Sequence, residues 1–257
     1  MALAYATPGI VLGYRPLREA DRLYSVLTPD RGKVELLARG SRKVTSKLAG
    51  SLEPLQLLAV EAVSGRQFDH VVGADRMEAH PAFAVDPSAR VLALGLAGFL
   101  NAAVKPAEPD RRLFSVFREL LAAAGGEATV SERLLLRDAF LWKVSTILGF
   151  AADPARCAVC AGAPTMLSAS AGGFQCAAHP APPDAVRLSP QALSYLRAAH
   201  DLPLVSAVRL PLAVEDAKTV HRAVGLYVLY QFSGTVDPAI LLRLFGDVGL
   251  AAAAVRS

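Results

Sequence analysis

Apolar residues in the first eighty positions come in short runs broken by polar turns, a rhythm of strands rather than helices. The runs are Ile10-Val11-Leu12, Leu23 to Leu27, Val34 to Leu37, Leu55 to Val63 and a weaker one from Phe68 to Val72. Thr28-Pro29-Asp30-Arg31-Gly32 joins the second run to the third. Proline, aspartate and glycine each favour a tight reversal, so this pair reads as a β-hairpin. Five short strands in about eighty residues fit a small closed barrel of the OB type.

The texture changes at His80-Pro81. Asp86-Pro87-Ser88 offers a helix start ahead of the apolar run from Val91. Asp110 is placed to cap a helix from Arg111 to Ala124, and Ser131 to open another reaching Leu148. Ser189-Pro190 combines a serine cap with proline at the first helical position. Two further helices are expected over Val214–Phe232 and Pro238–Leu244. Residues 153–184, rich in Ala, Gly, Pro and Cys, stand apart. The expected architecture is α+β. A five-stranded OB-fold β-barrel that binds nucleic acid spans 1–80. A helical domain spans 81–257, with a zinc-finger-like insertion at about 153–184.

A chain of 257 residues that is 53% hydrophobic can bury a large core, so wholesale disorder is not expected. The run from Val91 to Val104 is too short to span a membrane and contains Asn101. No signal peptide is evident at the N-terminus. Three cysteines cannot close a disulfide framework, which favours a reducing compartment. A cytoplasmic protein is expected.

Charge adds a site. Residues 1–50 hold nine Lys or Arg and four acids, a net of +5, whereas the whole chain carries only +4. Positive charge concentrated in one fifth of a chain is the electrostatic footprint of phosphate binding, although basic faces are often merely solvated. Arg15, Arg18, Arg22, Lys33, Arg39, Arg42, Lys43 and Lys47 are the candidate residues for contacting nucleic-acid phosphates. Tyr14 and Tyr24 are placed either to stack on bases or to pack the core.

The cysteines supply a second site. Cys157-Ala-Val-Cys160 is followed by Cys176-Ala-Ala-His179, and all three cysteines of the chain lie there. Two such knuckles fit a tetrahedral zinc site, with His200 or an acid as the alternative to His179. Four protein ligands close the shell, so one structural zinc ion is expected. Zinc deaminases pair Cys-x-x-Cys with an upstream His-x-Glu; neither His70-Val-Val nor His80-Pro-Ala supplies that glutamate. Phosphate-loop, dinucleotide and nucleophile-elbow motifs do not occur, and no catalytic residue is assigned. His221 with Lys218 and Arg222 makes a small basic face on a late helix, ordinarily solvated but able to receive an acidic peptide.

The chain resembles the RecO family of bacterial recombination mediators. The resemblance is carried by Gly9-Ile-Val-Leu-Gly-Tyr-Arg-Pro-Leu-Arg-Glu-Ala-Asp21, Leu27-Thr-Pro-Asp-Arg-Gly-Lys33, Ala38-Arg-Gly-Ser-Arg-Lys43, Leu52-Glu-Pro-Leu55 and the cysteine cluster. It implies an OB-fold that binds single- and double-stranded DNA, and annealing of complementary strands. It also implies partnership with RecR and with the acidic C-terminal tail of single-strand-binding protein. Together these would help load RecA in the nucleoid, with no membrane involved. Many members carry four cysteines where this chain has His179 in fourth place. An RNA-binding barrel or, further off, a zinc hydrolase are the rival readings.

Overall fold

The computed structural model describes residues 3–17, 19–43, 48, 50–125, 129–150 and 152–253. The chain forms two compact units, Met1–Gly126 and Glu127–Ser257.

The first unit is built on five strands among the described residues: β1 (Ala4–Pro16), β2 (Arg22–Thr28), β3 (Gly32–Ala38), β4 (Leu57–Val63) and β5 (Asp69–Glu78). They close into a barrel in the order β1-β2-β3-β5-β4, an OB-like five-stranded arrangement. All neighbours are antiparallel except β3 and β5, where Leu36 and Leu37 lie against Asp69 and His70. On β4 the alternation is plain: Leu58, Val60 and Ala62 are buried while Ala59 and Glu61 face out. They join Val11, Tyr24, Val26, Leu36 and Val71 in the barrel core. β1 is long enough to pair with β4 through its first half and with β2 through its second, bending at a bulge between Val11 and Gly13.

The β2–β3 turn follows the expected hairpin. Thr28 Oγ1 accepts from the Arg31 N–H at 3.1 Å and donates to the Gly32 carbonyl at 2.9 Å. Gly32 sits at φ +67°, and a Cβ there would come within 2.3 Å of the Glu108 carbonyl oxygen. Both the backbone conformation and the close approach require glycine.

Among the described residues, three helices belong to this unit: α1 (Ala82–Val85), α2 (Pro87–Ala103) and α3 (Arg111–Ala124). Asp86 caps α2 by accepting from Ala89 N–H at 3.0 Å, and Asp110 caps α3 through Arg112 N–H at 2.8 Å, as the sequence predicts. The change from strand to helix falls near His80-Pro81, but the division between compact units falls at Gly126. The reason is that α2 packs on β1 and α3 on β2. The buried faces of both helices, including Leu96, Phe99, Leu100, Leu113 and Phe117, need the barrel's outer surface.

The second unit holds α4 (Val130–Ile147), β6 (Met166–Ser168), β7 (Gly173–Gln175), β8 (Val186–Arg187), α5 (Pro190–Asp201), α6 (Leu204–Val208), α7 (Val214–Phe232) and α8 (Pro238–Ala253). α4 packs against α5, α6 and α7, and α7 against α8. The cap of α4 is Thr129 rather than Ser131. Its hydroxyl accepts from Glu132 N–H at 3.2 Å while Glu132 Oε2 accepts from Thr129 N–H at 2.7 Å, a reciprocal capping box. α8 runs on past the expected end at Leu244. It leaves helical geometry at Phe245 (φ −136°, ψ 38°) and then resumes. Trp142 of α4 is fully buried between Phe174 of β7 and Tyr227 of α7, with ring centroids 5.7 and 5.4 Å away. The insertion is thereby joined to the helical core through an aromatic contact.

Candidate nucleic-acid interface and metal centre

Strand register gathers the basic residues. β1 and β2 pair so that Arg15 lies opposite Leu23 and Pro16 opposite Arg22; Arg22 in turn faces Ala38 on β3, just ahead of Arg39. The segment after β3 folds back onto the β1–β2 loop. Gly40 N–H donates to Asp21 Oδ1 at 2.8 Å, Arg42 N–H to the Ala20 carbonyl at 3.0 Å, and Lys43 N–H to the Gly40 carbonyl at 3.0 Å. Asp21 thus ties the segment after β3 to the β1–β2 loop through a backbone amide. Arg15, Arg22, Arg39, Arg42 and Lys43 therefore share one end of the barrel. Arg15, Arg39, Arg42 and Lys43 are exposed. None of the five makes an ion pair among the described residues.

The two tyrosines divide. Tyr24 is fully buried in the barrel core, whereas Tyr14 is 43% exposed. The Arg22 guanidinium lies 4.3 Å from the Tyr14 ring centroid, which gives this end a flat cationic face.

Lys33 is placed otherwise than expected. It is 8% exposed, and its ammonium donates to the Asn101 carbonyl at 2.5 Å. Burial holds its pKa below the ordinary lysine value against the opposing pull of Glu35. Its hairpin position made it look like a surface cation; the helix behind the hairpin turns it into an internal tie. Arg18 and Lys47 lie outside the described residues.

In the second unit the knuckles close on one point. Among the described residues, the ligand atoms of Cys157, Cys160, Cys176 and His179 all lie within 4.8 Å of one another. The Cys160 and Cys176 sulfurs are 3.5 Å apart. That is far longer than a disulfide bond of about 2 Å. It is close to the edge of about 3.8 Å that a tetrahedron with metal–sulfur bonds of about 2.3 Å requires. The first knuckle is formed by Cys157 N–H donating to the Gly162 carbonyl and Ala161 N–H to the Cys157 carbonyl, at 2.8 and 2.9 Å. Burial pushes the Cys157 thiol up, but the N–H groups of Cys160, Val159 and Cys176 outweigh it and pull the thiol down to about 6. The same N–H contacts favour the thiolate form, which is the form that ligates metal. His179 Nε2 is buried without a hydrogen-bond partner among the described residues, as a ring nitrogen reserved for an ion would be. These donors fit a metal ion. His200 is elsewhere engaged, its Nδ1 2.8 Å from Asp201 Oδ1.

The turn between β6 and β7 is held by Asp184, a residue without an obvious sequence signal. Its carboxylate accepts from Ala169 N–H at 2.7 Å, Ser170 N–H at 3.0 Å, Ser168 Oγ at 2.8 Å and the Ser170 hydroxyl. The proposed basic face on α7 also resolves differently. His221 turns toward buried Asp138, with Nδ1 3.2 Å from Oδ2, and Lys218 pairs with Glu215 at 2.7 Å. Arg137, adjacent to Asp138 on α4, completes this internal cluster. It donates to Asp138 Oδ1 and to the Leu244 carbonyl, each at 2.9 Å, beside the kink of α8.

The chain matches two family models: "Recombination protein O N terminal" over residues 1–78 and "Recombination protein O C terminal" over 86–236. The chain belongs to the RecO family. Its relatives include the DNA repair protein RecO of Rubrobacter xylanophilus, 31% identical over 93% of this chain and 96% of that protein. Pelotomaculum thermopropionicum RecO is 27% identical over 95% of each. That of Frankia casuarinae is 35% identical over 67% of this chain and 72% of its own. The RecO assignment thus covers both the barrel and the helical unit. It also places the basic barrel end and the cysteine cluster in a DNA repair protein. No helix among the described residues is long and apolar enough to cross a membrane.

Proposed function

We propose that the chain is a recombination mediator that binds single- and double-stranded DNA through the basic end of its barrel and anneals complementary strands. The observation that carries this reading is the convergence of Arg15, Arg22, Arg39, Arg42 and Lys43, none in an ion pair among the described residues, beside exposed Tyr14. Guanidinium and ammonium groups neutralise phosphates without reading sequence, so binding is steeply salt-dependent. Annealing follows from holding two strands together while screening their mutual repulsion. No covalent step is required, and no catalytic residue is assigned.

Zinc is the metal that three thiolates and one imidazole suit best. Cys157, Cys160, Cys176 and His179 would fill its shell, leaving no open position for a reacting water, so its role is to staple the insertion to the helices. The family reading extends to RecR, to the acidic tail of single-strand-binding protein and to loading of RecA in the nucleoid of the cytoplasm.

The test uses the whole chain. Binding to matched labelled DNA and RNA oligomers is titrated with salt, and annealing of complementary DNA strands coated by single-strand-binding protein is followed with and without RecR. Salt-sensitive DNA binding with accelerated annealing is expected. Preference for RNA, or binding without annealing, would overturn the mediator reading.

A further inference from the structure

A cavity of about 410 Å³ opens on the barrel beside Arg39. Leu17, Leu37 and Phe68 line it, together with Arg39, Arg66 and His70. The lining is sharply divided in chemistry. Leu37 is buried, Leu17 and Phe68 are half-buried, and both arginines are exposed. Neither Arg39 nor Arg66 makes an ion pair among the described residues. A ligand that satisfies all of these groups has an apolar, flat portion and an anionic portion a few ångströms away. A volume in the range of about 300–1,000 Å³ suits a small molecule or one unit of a polymer.

The site is built before anything binds. Its far wall is the β4–β5 loop, which Asp69 braces from both sides. Asp69 Oδ1 accepts from Gly65 N–H at 3.2 Å, and Oδ2 accepts from the Tyr5 hydroxyl at 2.6 Å. A Cβ at residue 65 would fall 2.1 Å from the Phe68 carbonyl oxygen, so only glycine lets the loop fold this tightly under Phe68. His70 is fixed by pairing with both Leu37 on β3 and Val63 on β4. Walls held in this way lose little conformational freedom when a ligand enters.

We propose that this cavity takes one unstacked nucleotide, its base against Phe68 and the two leucines and its phosphate between Arg39 and Arg66. The proposal rests on the DNA-binding reading above and adds a distinction that reading lacks. A base in an intact duplex is stacked and paired, and cannot present its face to Phe68 without being extruded. The cavity therefore serves single strands, while the outer cations serve both forms. The barrel end becomes a phosphate track with one base-holding notch, which marks a strand as single.

The experiment separates the two claims. The whole chain is titrated with a single-stranded oligothymidylate carrying one 2-aminopurine and, separately, with a blunt duplex of the same length. Arg66→Gln and Phe68→Ala variants are compared, the first being an exposed side chain whose loss leaves folding intact. Each is expected to weaken single-strand binding, Phe68→Ala by about 5- to 150-fold, the worth of one base–aromatic stack. Duplex affinity is expected to stay within about twofold for Phe68→Ala. In parallel, deoxythymidine 5′-monophosphate is titrated against the labelled chain and the amide resonances of Arg66, Phe68 and His70 are followed, with inorganic phosphate as the comparison. The nucleotide should shift all three, whereas phosphate alone should shift Arg66 at most and leave Phe68 and His70 in place. Equal shifts from both, no shifts, or equal losses on single strand and duplex in both variants would overturn the notch. Nucleotide shifts without oligomer binding would leave the notch standing and sink the wider DNA reading. Oligomer binding that both variants leave untouched would do the reverse.

Discussion

Replacing Arg39 and Arg42 by glutamine removes two of the five cations that the structure gathers at the barrel end. Both side chains are exposed and make no ion pair among the described residues, so the fold should be unaffected to within about 0.5 kcal/mol. Each phosphate contact to a single strand contributes about 0.7 to the slope of log affinity against log salt. Five contacts give a slope of about 3.5, and three give about 2.1. Between about 50 and 200 mM salt, affinity should then fall about 130-fold for the parent chain but only about 18-fold for the double variant. The assay is anisotropy of a labelled oligothymidylate at four or five salt concentrations, with a thermal melt to confirm folding. Weaker binding at low salt together with the shallower slope is the expected pair of results. Parallel slopes would mean that neither arginine releases counterions, and the barrel end would lose its standing as the phosphate track.

Lys33→Met should leave that slope unchanged, because the ammonium is already committed to the Asn101 carbonyl; a drop of about 0.7 would show that it reaches phosphate after all. Metal analysis of the purified chain should find about one zinc per chain, and Cys176→Ser should lower both zinc content and melting temperature. A chain that binds no metal and melts identically with and without chelator would refute the staple. Arg137→Met strands Asp138 as a buried, half-compensated carboxylate and should cost about 3–5 kcal/mol in urea unfolding, whereas Lys218→Ala on the exposed pair should cost under about 1 kcal/mol. Equal costs would contradict the burial argument. Burial raises the Asp184 carboxyl, but the hydroxyls and N–H groups of its turn outweigh it and hold it below the ordinary carboxylate value. A depressed folded value means that this stabilisation is present above the unfolded value of about 3.9 and is lost as pH falls through the folded one. Asp184→Asn should therefore be less stable than the parent at neutral pH, with the gap narrowing in acid. A gap that widens in acid would reverse the sign of the argument.

Local chemistry made much of this protein legible in the sequence. Thr28 to Gly32 specifies its hairpin because those residues encode a reversal within five positions. Asp86, Asp110 and Ser189 cap helices through hydrogen bonds that reach no further than three residues. The metal knuckles are equally local: each pair of ligands is spaced by its own turn, so Cys157, Cys160, Cys176 and His179 could be named before any fold was known. Where two local signals overlapped, as with Thr129 and Ser131, the reading slipped by two residues because both can cap.

What only the tertiary structure decided depends on groups distant in the chain. Lys33 looks like its neighbours in the basic segment until Asn101, sixty-eight residues later, takes its ammonium. His221 belongs to a basic face by helical periodicity and to Asp138 by packing. Tyr14 and Tyr24 lie directly opposite each other on β1 and β2 with ring centroids 5.4 Å apart, yet Tyr24 is in the barrel core and Tyr14, near the exposed end of β1, stays 43% exposed, because the rest of the chain covers one ring and not the other. Arg66 and Phe68 join Arg39 only because β5 returns parallel to β3. The sequence by itself determined the turns, the caps and the ligand spacing within each knuckle, which depend on near neighbours. Barrel closure and helix packing determined which cations stay in water and which are drawn inside, because desolvation is settled by whatever the rest of the chain places around them.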